Sequence, residues 1–244
     1  MLKRLKFFLS HLLISLFIAV FIVIWVFFIW YPTPLAKAVG VTHIFLMMLA
    51  IDVIIGPILG LLVYKQGKKT LKFDLSCIII VQLIALFYGV FNIAQARPVW
   101  IVLNGDQFEL IQSNSIITEG LQNANLQFKT PSLLKPKYVA AELAEDPNIR
   151  NSNTFDFMLS GISIAQRPER YVEMSQAKSK IQQRGISLKE LNEVNNKEDV
   201  ANVLAKYPEA NAYLPLKASA IDMTVLVNKD TAEIIKIVDL RPWK

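Results

Sequence analysis

The sequence predicts a membrane protein with three N-terminal transmembrane α-helices, followed by an extracytoplasmic α+β domain with an antiparallel sheet. Hydrophobic residues make up 53% of the 244 residues, charged residues make up 19%, and the mean hydropathy is +0.38. Soluble domains average about 45–50% apolar and about 25% charged residues. The apolar excess lies before residue 95, and the pattern after Arg97 is that of a globular domain. This composition excludes disordered, collagen-like and coiled-coil proteins.

Three apolar segments predict the membrane helices, over about 5–30, 41–63 and 74–94 within a membrane domain of residues 1–94. Each exceeds the roughly 18 residues that indicate a transmembrane helix. A cleaved signal peptide, with Ala36-Lys37-Ala38 as its cleavage site, is the alternative for the first segment. We favour a membrane helix, because the apolar run is longer than the usual core of about 7–15 residues in a signal peptide.

The positive charges predict the orientation of these helices. Residues 1–94 contain eight Lys/Arg and two Asp/Glu, whereas residues 95–244 contain 18 of each. Seven of the nine Lys/Arg that flank the helices lie before the first helix or between the second and third, and only Lys37 and Arg97 lie on the other side. Cytoplasmic loops are rich in Lys/Arg. The N-terminus is therefore predicted in the cytoplasm and the domain of residues 95–244 in the periplasm. Because that domain is neutral, it is not predicted to bind nucleic acid.

Polar and small residues within the membrane helices are candidate partner or helix-docking residues. Asp52 lies midway along the second helix, and a carboxyl group at that depth indicates a functional site. A hydrogen bond to Gln82 of the third helix is the favoured interpretation, with a proton relay or a polar contact to another membrane helix as the alternatives. Gly56 and Gly60 form a G-x-x-x-G motif around Pro57, which predicts close helix packing. We favour packing within the protein over docking of a foreign helix.

Strands at both ends of residues 95–244 enclose the predicted helices, which is why an antiparallel α+β domain is expected. Asn104-Gly105-Asp106 is a strong hairpin signal. The predicted strands are Val99–Leu103, Gln107–Ile111, Lys137–Leu143, Ala212–Ala220, Ile221–Asn228 and Glu233–Leu240. The predicted helices are Asn153–Ile162, Arg170–Arg184, a short helix that begins at the capping box Ser187–Glu190, and Glu198–Tyr207.

Catalytic chemistry has little support in this domain. His11 and His43 are the only histidines and Cys77 the only cysteine, and all three precede residue 95. Ser-His and Cys-His nucleophiles and His-based zinc sites are therefore excluded from the domain. A Ser-Lys pair or two carboxylates remain open. We predict that the protein is not an enzyme and needs no cofactor or metal.

Several short motifs in the domain are distinctive. Trp243 so near the terminus predicts that the C-terminal tail packs down. The candidate motif residues are Arg97, Pro98, Trp100, Asp106, Phe108, Arg167, Pro168, Tyr171, Arg241, Pro242 and Trp243.

Together with Asp52, Gly56-Pro57 and the segments 67–75 and 213–216, these motifs resemble the type IV pilin accessory proteins (the TfpX/TfpZ, or FimB-like, group). The resemblance extends from the second helix to the C-terminus and rests on the order and spacing of the motifs. Gln107 departs from the basic residue expected there, and Ala232 departs from the usual glycine of the closing hairpin.

The resemblance implies a non-enzymatic factor of the bacterial inner membrane that supports assembly or stability of a cognate type IV pilin. The implied partners are that pilin or the pilus assembly machinery, besides membrane lipid. Two other classes remain open from the residues. One is a membrane sensor or transport subunit with Asp52 as its ion-coupling residue, and the other is a membrane-anchored hydrolase.

Overall fold

The structure is a computed structural model that describes residues 2–243. It divides into two compact units. The first contains the residues up to Pro32 together with Val41–Ala96, and the second contains Thr33–Gly40 together with the residues from Arg97 onward. The short segment Thr33–Gly40, which was expected in the membrane domain, therefore folds with the sheet.

The α-helices of the described chain are α1 (Leu2–Trp25), α2 (Leu35–Val39), α3 (Val41–Val63), α4 (Leu71–Gln95), α5 (Leu126–Lys129), α6 (Pro147–Ser160), α7 (Lys178–Arg184), α8 (Leu191–Val194) and α9 (Lys197–Leu204). The strands are β1 (Pro98–Asn104), β2 (Gln107–Gln112), β3 (Lys137–Ala141), β4 (Tyr171–Val172), β5 (Ile186–Ser187), β6 (Ala212–Lys217), β7 (Met223–Asn228) and β8 (Glu233–Val238).

Three helices of the first unit are long and apolar enough to cross a membrane. They are α1 with its π-helical continuation to Trp30, α3, and α4. Large apolar side chains such as Phe17 and Phe87 are exposed on these helices, as expected of helices surrounded by lipid. The three helices predicted from the sequence are confirmed, and their bounds differ from the prediction by no more than three residues.

The sheet of the second unit is mixed, so the prediction of a purely antiparallel sheet is wrong. The strand order is β4-β3-β1-β2-β6-β7-β8, and β5 pairs with β6 at the side. The pairs β1–β3 and β2–β6 are parallel, and the other pairs are antiparallel. Parallel neighbours need a long crossover. Residues 105–136, which include β2, connect β1 to β3, and residues 113–211 connect β2 to β6.

The predicted helix Arg170–Arg184 is wrong in its first half. Tyr171–Val172 forms β4, in which Tyr171 pairs with Ala141, and α7 begins only at Lys178. The hairpin β1–β2 and the strands β6, β7 and β8 are confirmed. Apolar pattern alone does not separate a short buried strand from a helical segment, and the contact with β3 decides between them here.

The core of the second unit includes a contribution from α2. Leu35 and Ala38 are buried among side chains of the sheet that include Phe108, Leu214 and Val225. The main-chain carbonyl of Ala38 also accepts hydrogen bonds from the amides of Ala220 and Ile221, at 3.0 and 3.1 Å. Apolar burial and main-chain hydrogen bonds thus hold the α1–α3 connection to the β6–β7 loop.

Candidate functional site

Helix α3 is the central helix of the first unit and packs along both α1 and α4. At Gly60 a β carbon would lie 2.9 Å from the ring of Phe7 in α1. At Gly56 a β carbon would overlap the side-chain amide of Gln82 in α4. The two glycines therefore permit close approach of two different neighbours, and both are buried together with Pro57. In this structure, the face formed by Gly56, Pro57 and Gly60 packs on the protein's own helices.

Gln82 bonds to the main chain of α3, so the predicted hydrogen bond to the Asp52 carboxyl group is wrong. Gln82 Nε2 donates to the carbonyl oxygen of Asp52 at 2.8 Å. This carbonyl lies one helical turn before Gly56, where the missing side chain leaves room for the amide. The interaction still links the second and third apolar helices, but its acceptor does not depend on the identity of residue 52.

Three buried side-chain atoms of this region lack hydrogen-bond partners within the described chain. Asp52 Oδ2, Gln82 Oε1 and His11 Nδ1 are buried and make no hydrogen bond within the described chain. Asp52, Gln82 and His11 line one cavity of about 310 Å³, together with Ser15 and apolar side chains. We call this the polar cavity.

The aromatic residues of the motifs lie in the core of the second unit. Trp100, Tyr171 and Phe128 form a cluster with ring-centroid distances of 5.5–6.1 Å. The Tyr171 hydroxyl donates to the carbonyl of Ala165 at 2.5 Å. Burial, and then the charges of Glu109 and Glu169, raise the Tyr171 pKa, so its phenol stays neutral. This cluster stabilises the fold around β1, β3 and β4.

Arg97 and Pro98 stand where the sheet begins. Pro98 is the first residue of β1. Arg97 is largely buried, donates to the carbonyl of Ser132 at 3.3 Å, and accepts from the amide of Ser113 at 2.9 Å. These bonds fix the entry of the chain into the domain.

Phe108 and Asp106 of the hairpin have different environments. Phe108 is fully buried and contacts Tyr138 edge to face, with ring centroids 6.1 Å apart. Burial raises the pKa of Tyr138 to about 12. Asp106 is exposed in the turn and lines a surface cavity of about 430 Å³ together with Gln107, Arg184 and Trp243. The structure thus brings together Asp106 and Trp243, two motif residues that are distant in the sequence.

Arg167 links the segment that precedes β4 to helix α6. Its guanidinium group lies 2.6 Å from the Asp156 carboxylate and 3.7 Å from that of Glu169. Pro168 is buried beside it. Because the Arg167 side chain is only 10% exposed, loss of Asp156 would leave a mostly buried charge with fewer partners.

The C-terminal tail is packed down, as predicted from Trp243. Trp243 Nε1 donates to Asp222 Oδ2 at 2.9 Å, and the carbonyl of Pro242 accepts from the Tyr213 hydroxyl at 3.4 Å. The Arg241 guanidinium group contacts Asp239 and the carbonyl of Asp222. Asp239 in turn pairs with Lys37 of α2 at 2.5 Å. The motif Arg241-Pro242-Trp243 therefore forms part of the surface where α2 meets the sheet.

Two features of the domain were missed from the sequence. Glu109 is buried, and its Oε1 accepts from Asn104 and Ser163 at 2.6 and 2.8 Å. Helix α6 begins six residues before the predicted Asn153, with Asp146 as its N-cap and Pro147 at its first position. An Asp-Pro pair is a recognised start signal for a helix and could have identified this one. No sequence signal pairs Glu109 with Ser163, because 54 residues separate them.

The C-terminal part of α6 exposes a set of large apolar side chains. Phe155 is 62% exposed and Met158 is 76% exposed. We call this set the α6 apolar patch, and it contains Phe155, Phe157, Met158 and Leu159. Contiguous apolar surface of this kind marks interaction sites in soluble domains. Within residues 2–243, no group of three or more His, Cys, Asp and Glu side chains could hold a metal ion.

Comparison with known proteins identifies relatives along nearly the whole chain. A family profile described as "Fimbrial assembly protein FimB" matches residues 1–40. Two fimbrial assembly proteins of Dichelobacter nodosus, of serogroups I and E1, are each 29% identical over 90% of this chain and 89% of their own length. No solved structure matches significantly.

A third relative is more similar over a shorter region. It is the fimbrial assembly protein of Dichelobacter nodosus serogroups C1 and C2, and it is 35% identical over 116 residues, which are 47% of this chain and 88% of the relative. The chain therefore belongs to the FimB family of fimbrial assembly proteins.

Proposed function

We propose that the protein is an inner-membrane accessory factor that supports the assembly or stability of a cognate type IV pilin. The observation that carries the proposal is the match over 90% of the chain to proteins named fimbrial assembly proteins. The match covers both the apolar helices and the sheet domain, so the proposed role involves both units. In this proposal the protein acts by binding and not by catalysis.

Two surfaces support a binding role. The three apolar helices provide a surface for a pilin's apolar helix within the membrane, and the α6 apolar patch provides one for its globular head. The exposed side chains Phe155 and Met158 lie outside the core of the domain, so contact with a partner would remove apolar area from water at little cost to the fold.

The proposed orientation places the N-terminus in the cytoplasm and the sheet domain in the periplasm. The seven-to-two distribution of Lys/Arg supports this orientation. It puts the domain on the side of the inner membrane where a pilin head lies before assembly.

Deletion of the gene, with complementation from a plasmid, tests the proposed function. We expect the deletion to reduce surface pili while transcription of the pilin gene is unchanged, and the wild-type gene to restore them. Pilin in the membrane fraction and pili sheared from the cell surface are the two quantities to measure. Normal amounts of both in the deletion strain would refute the proposed role.

A further inference from the structure

A short loop with two exposed leucines leads into β3. Residues 131–136 form this loop, which we call the β3 entry loop. Leu133 is 74% exposed and Leu134 is 54% exposed. The Leu134 amide donates to the Ser132 hydroxyl at 3.2 Å, and the loop begins with Pro131 and ends with Pro136, each of which fixes its own φ angle. The two leucines are therefore held on the surface by a restrained backbone.

The β3 entry loop is tied to the residue at which the chain enters the sheet domain. Helix α4 ends at Gln95, and Arg97 follows two residues later, a span of at most about 7 Å. The Arg97 guanidinium group donates to the carbonyl of Ser132 in the loop at 3.3 Å. Strands β1 and β3 are parallel, so the loop before β3 lies at the same edge of the sheet as Arg97. Because α4 is long and apolar enough to cross a membrane, the exposed leucines are near the place where the chain would leave the lipid.

Two lysines follow the leucines directly. Lys135 and Lys137 are exposed, and neither forms an ion pair within residues 2–243. A segment that places leucines in the interface of a membrane can keep its lysines among the lipid phosphates, because the long alkyl stem of lysine lets the ammonium group reach them. Each lysine near an anionic membrane also adds electrostatic attraction. Leucine beside unpaired lysine, so close to the end of α4, therefore fits a lipid surface better than a purely apolar protein partner.

We propose that the β3 entry loop rests on the membrane that the apolar helices cross. In this contact, Leu133 and Leu134 lie in the interface between headgroups and acyl chains, and Lys135 and Lys137 bind lipid phosphates. The inference requires that the helices cross a membrane, and it does not rest on the proposed pilin role. It is also independent of the direction of insertion, because Arg97 and the loop belong to one compact unit and lie on the same side of the membrane in either orientation.

A fluorescent dye on the full-length protein tests the contact. Cys77→Ser removes the only cysteine, and Leu134→Cys then carries the dye in vesicles of phosphatidylethanolamine and phosphatidylglycerol. The matched control carries the dye at Asp106→Cys, an exposed turn position beyond the far end of β1, about 20 Å from Arg97 at about 3.3 Å per residue. Lipids with a nitroxide group on the upper acyl chain quench a dye only at short range. We expect the dye at position 134 to be quenched at least about threefold more than the dye at position 106.

A second labelled position guards against a fault of the first. The dye at Leu133→Cys should be quenched to a similar extent, and because both leucines are exposed, their replacement leaves the core of the domain intact. Quenching no greater than that of the control at both leucine positions would overturn the proposal. Since the vesicles contain no other protein, that outcome would assign the loop to a protein partner.

The lysines are tested in the same vesicles. Lys135→Glu with Lys137→Glu should lower the quenching at position 134 about two- to fivefold, because each change replaces attraction to the anionic surface by repulsion. Lys135→Arg with Lys137→Arg keeps the charge and should retain the quenching. In vesicles of phosphatidylcholine alone, which carry no net charge, the glutamate variant should differ little from its parent. An equal loss in the two kinds of vesicle, or no loss in either, would overturn the assignment of the lysines to lipid phosphates.

Discussion

Gly56 is the residue at which the helix packing of the first unit can be tested most directly. Its missing side chain lets Gln82 reach the carbonyl oxygen of Asp52. The G-x-x-x-G motif predicted close packing but could not indicate that its two glycines face different neighbours. That information depends on the rotation of α3 relative to α1 and α4, which a single sequence does not contain.

We predict that Gly56→Ala lowers stability because the added methyl group overlaps the Gln82 amide. Overpacking of this kind costs about 1–3 kcal/mol. Gln82→Ala removes both the overlap and one interhelical bond, which is worth about 0.6–1.7 kcal/mol. The double variant should therefore be destabilised by less than the sum of the two single changes. Thermal unfolding of the purified protein in detergent measures this difference, and simple additivity of the two single changes would contradict the packing.

Asp52 distinguishes a binding role from ion coupling. Its carboxyl group is not needed to hold Gln82, because the main chain is the acceptor. Asp52→Asn keeps an acceptor oxygen and should support normal pili. Asp52→Leu should accumulate normally but reduce pili by severalfold. The measurement that separates the two roles is the amount of surface pili in each variant at matched protein level. An inserted but inactive Asp52→Asn would favour the membrane sensor or transport alternative, because asparagine cannot exchange a proton.

At the scale of elements, the helices predicted from hydropathy are the most accurate part of the sequence analysis. A long apolar run determines a membrane helix by its own composition. The parallel pairing of β1 with β3 and the location of α2 were not predictable in the same way. They depend on contacts between distant segments, such as Val102 with Val139 for the strands and Ala38 with Ala220 for α2.

Helix α2 should contribute stability through apolar burial and not through its ion pair. Leu35 is 3% exposed within the core, and Leu35→Ala should cost about 2–5 kcal/mol. The Lys37–Asp239 pair is solvent-exposed, with side-chain exposures of 57% and 37%, and Lys37→Ala should cost about 0–1 kcal/mol. Resistance of the domain to protease in isolated membranes ranks the two variants. Equal effects would show that α2 is not held by its apolar side.

The α6 apolar patch should matter for pili and not for folding. Because Phe155, Met158 and Leu159 are exposed, their replacement by serine should change the free energy of unfolding by less than about 0.5 kcal/mol per site. We expect the triple variant to reduce surface pili at normal protein level. Leu126→Ser is the control, since Leu126 is 86% exposed and lies outside the patch. Loss of pili in the control as well would remove the special role of the patch.

For the whole molecule, the second unit supports the topology independently of the charges. Thr33–Gly40 follows the first apolar helix, Arg97 follows the third, and both belong to one compact unit. Segments that fold together must lie on the same side of a membrane. The chain between Gly40 and Arg97 contains two apolar helices, and two crossings return it to the side from which it started. In the proposed topology, in which both helices cross, the turn around Gly67 lies on the opposite side, with Lys65, Lys68 and Lys69.

Reporter fusions at two positions test this topology. An enzyme that is active only outside the cytoplasm should be active after Lys244 and inactive when inserted at Gly67. A fluorescent protein that folds only in the cytoplasm should give the reverse pattern. The expectation combines two observations. The seven-to-two distribution of Lys/Arg predicts the direction of insertion. The compact unit shared by Thr33–Gly40 and the residues after Arg97 predicts an even number of crossings between them. If both patterns are inverted, the predicted direction of insertion is wrong, but the number of crossings between Gly40 and Arg97 is still even. If both sites report the same side, α3 and α4 do not each cross the membrane, and the polar cavity at Asp52 and Gln82 would not lie at membrane depth.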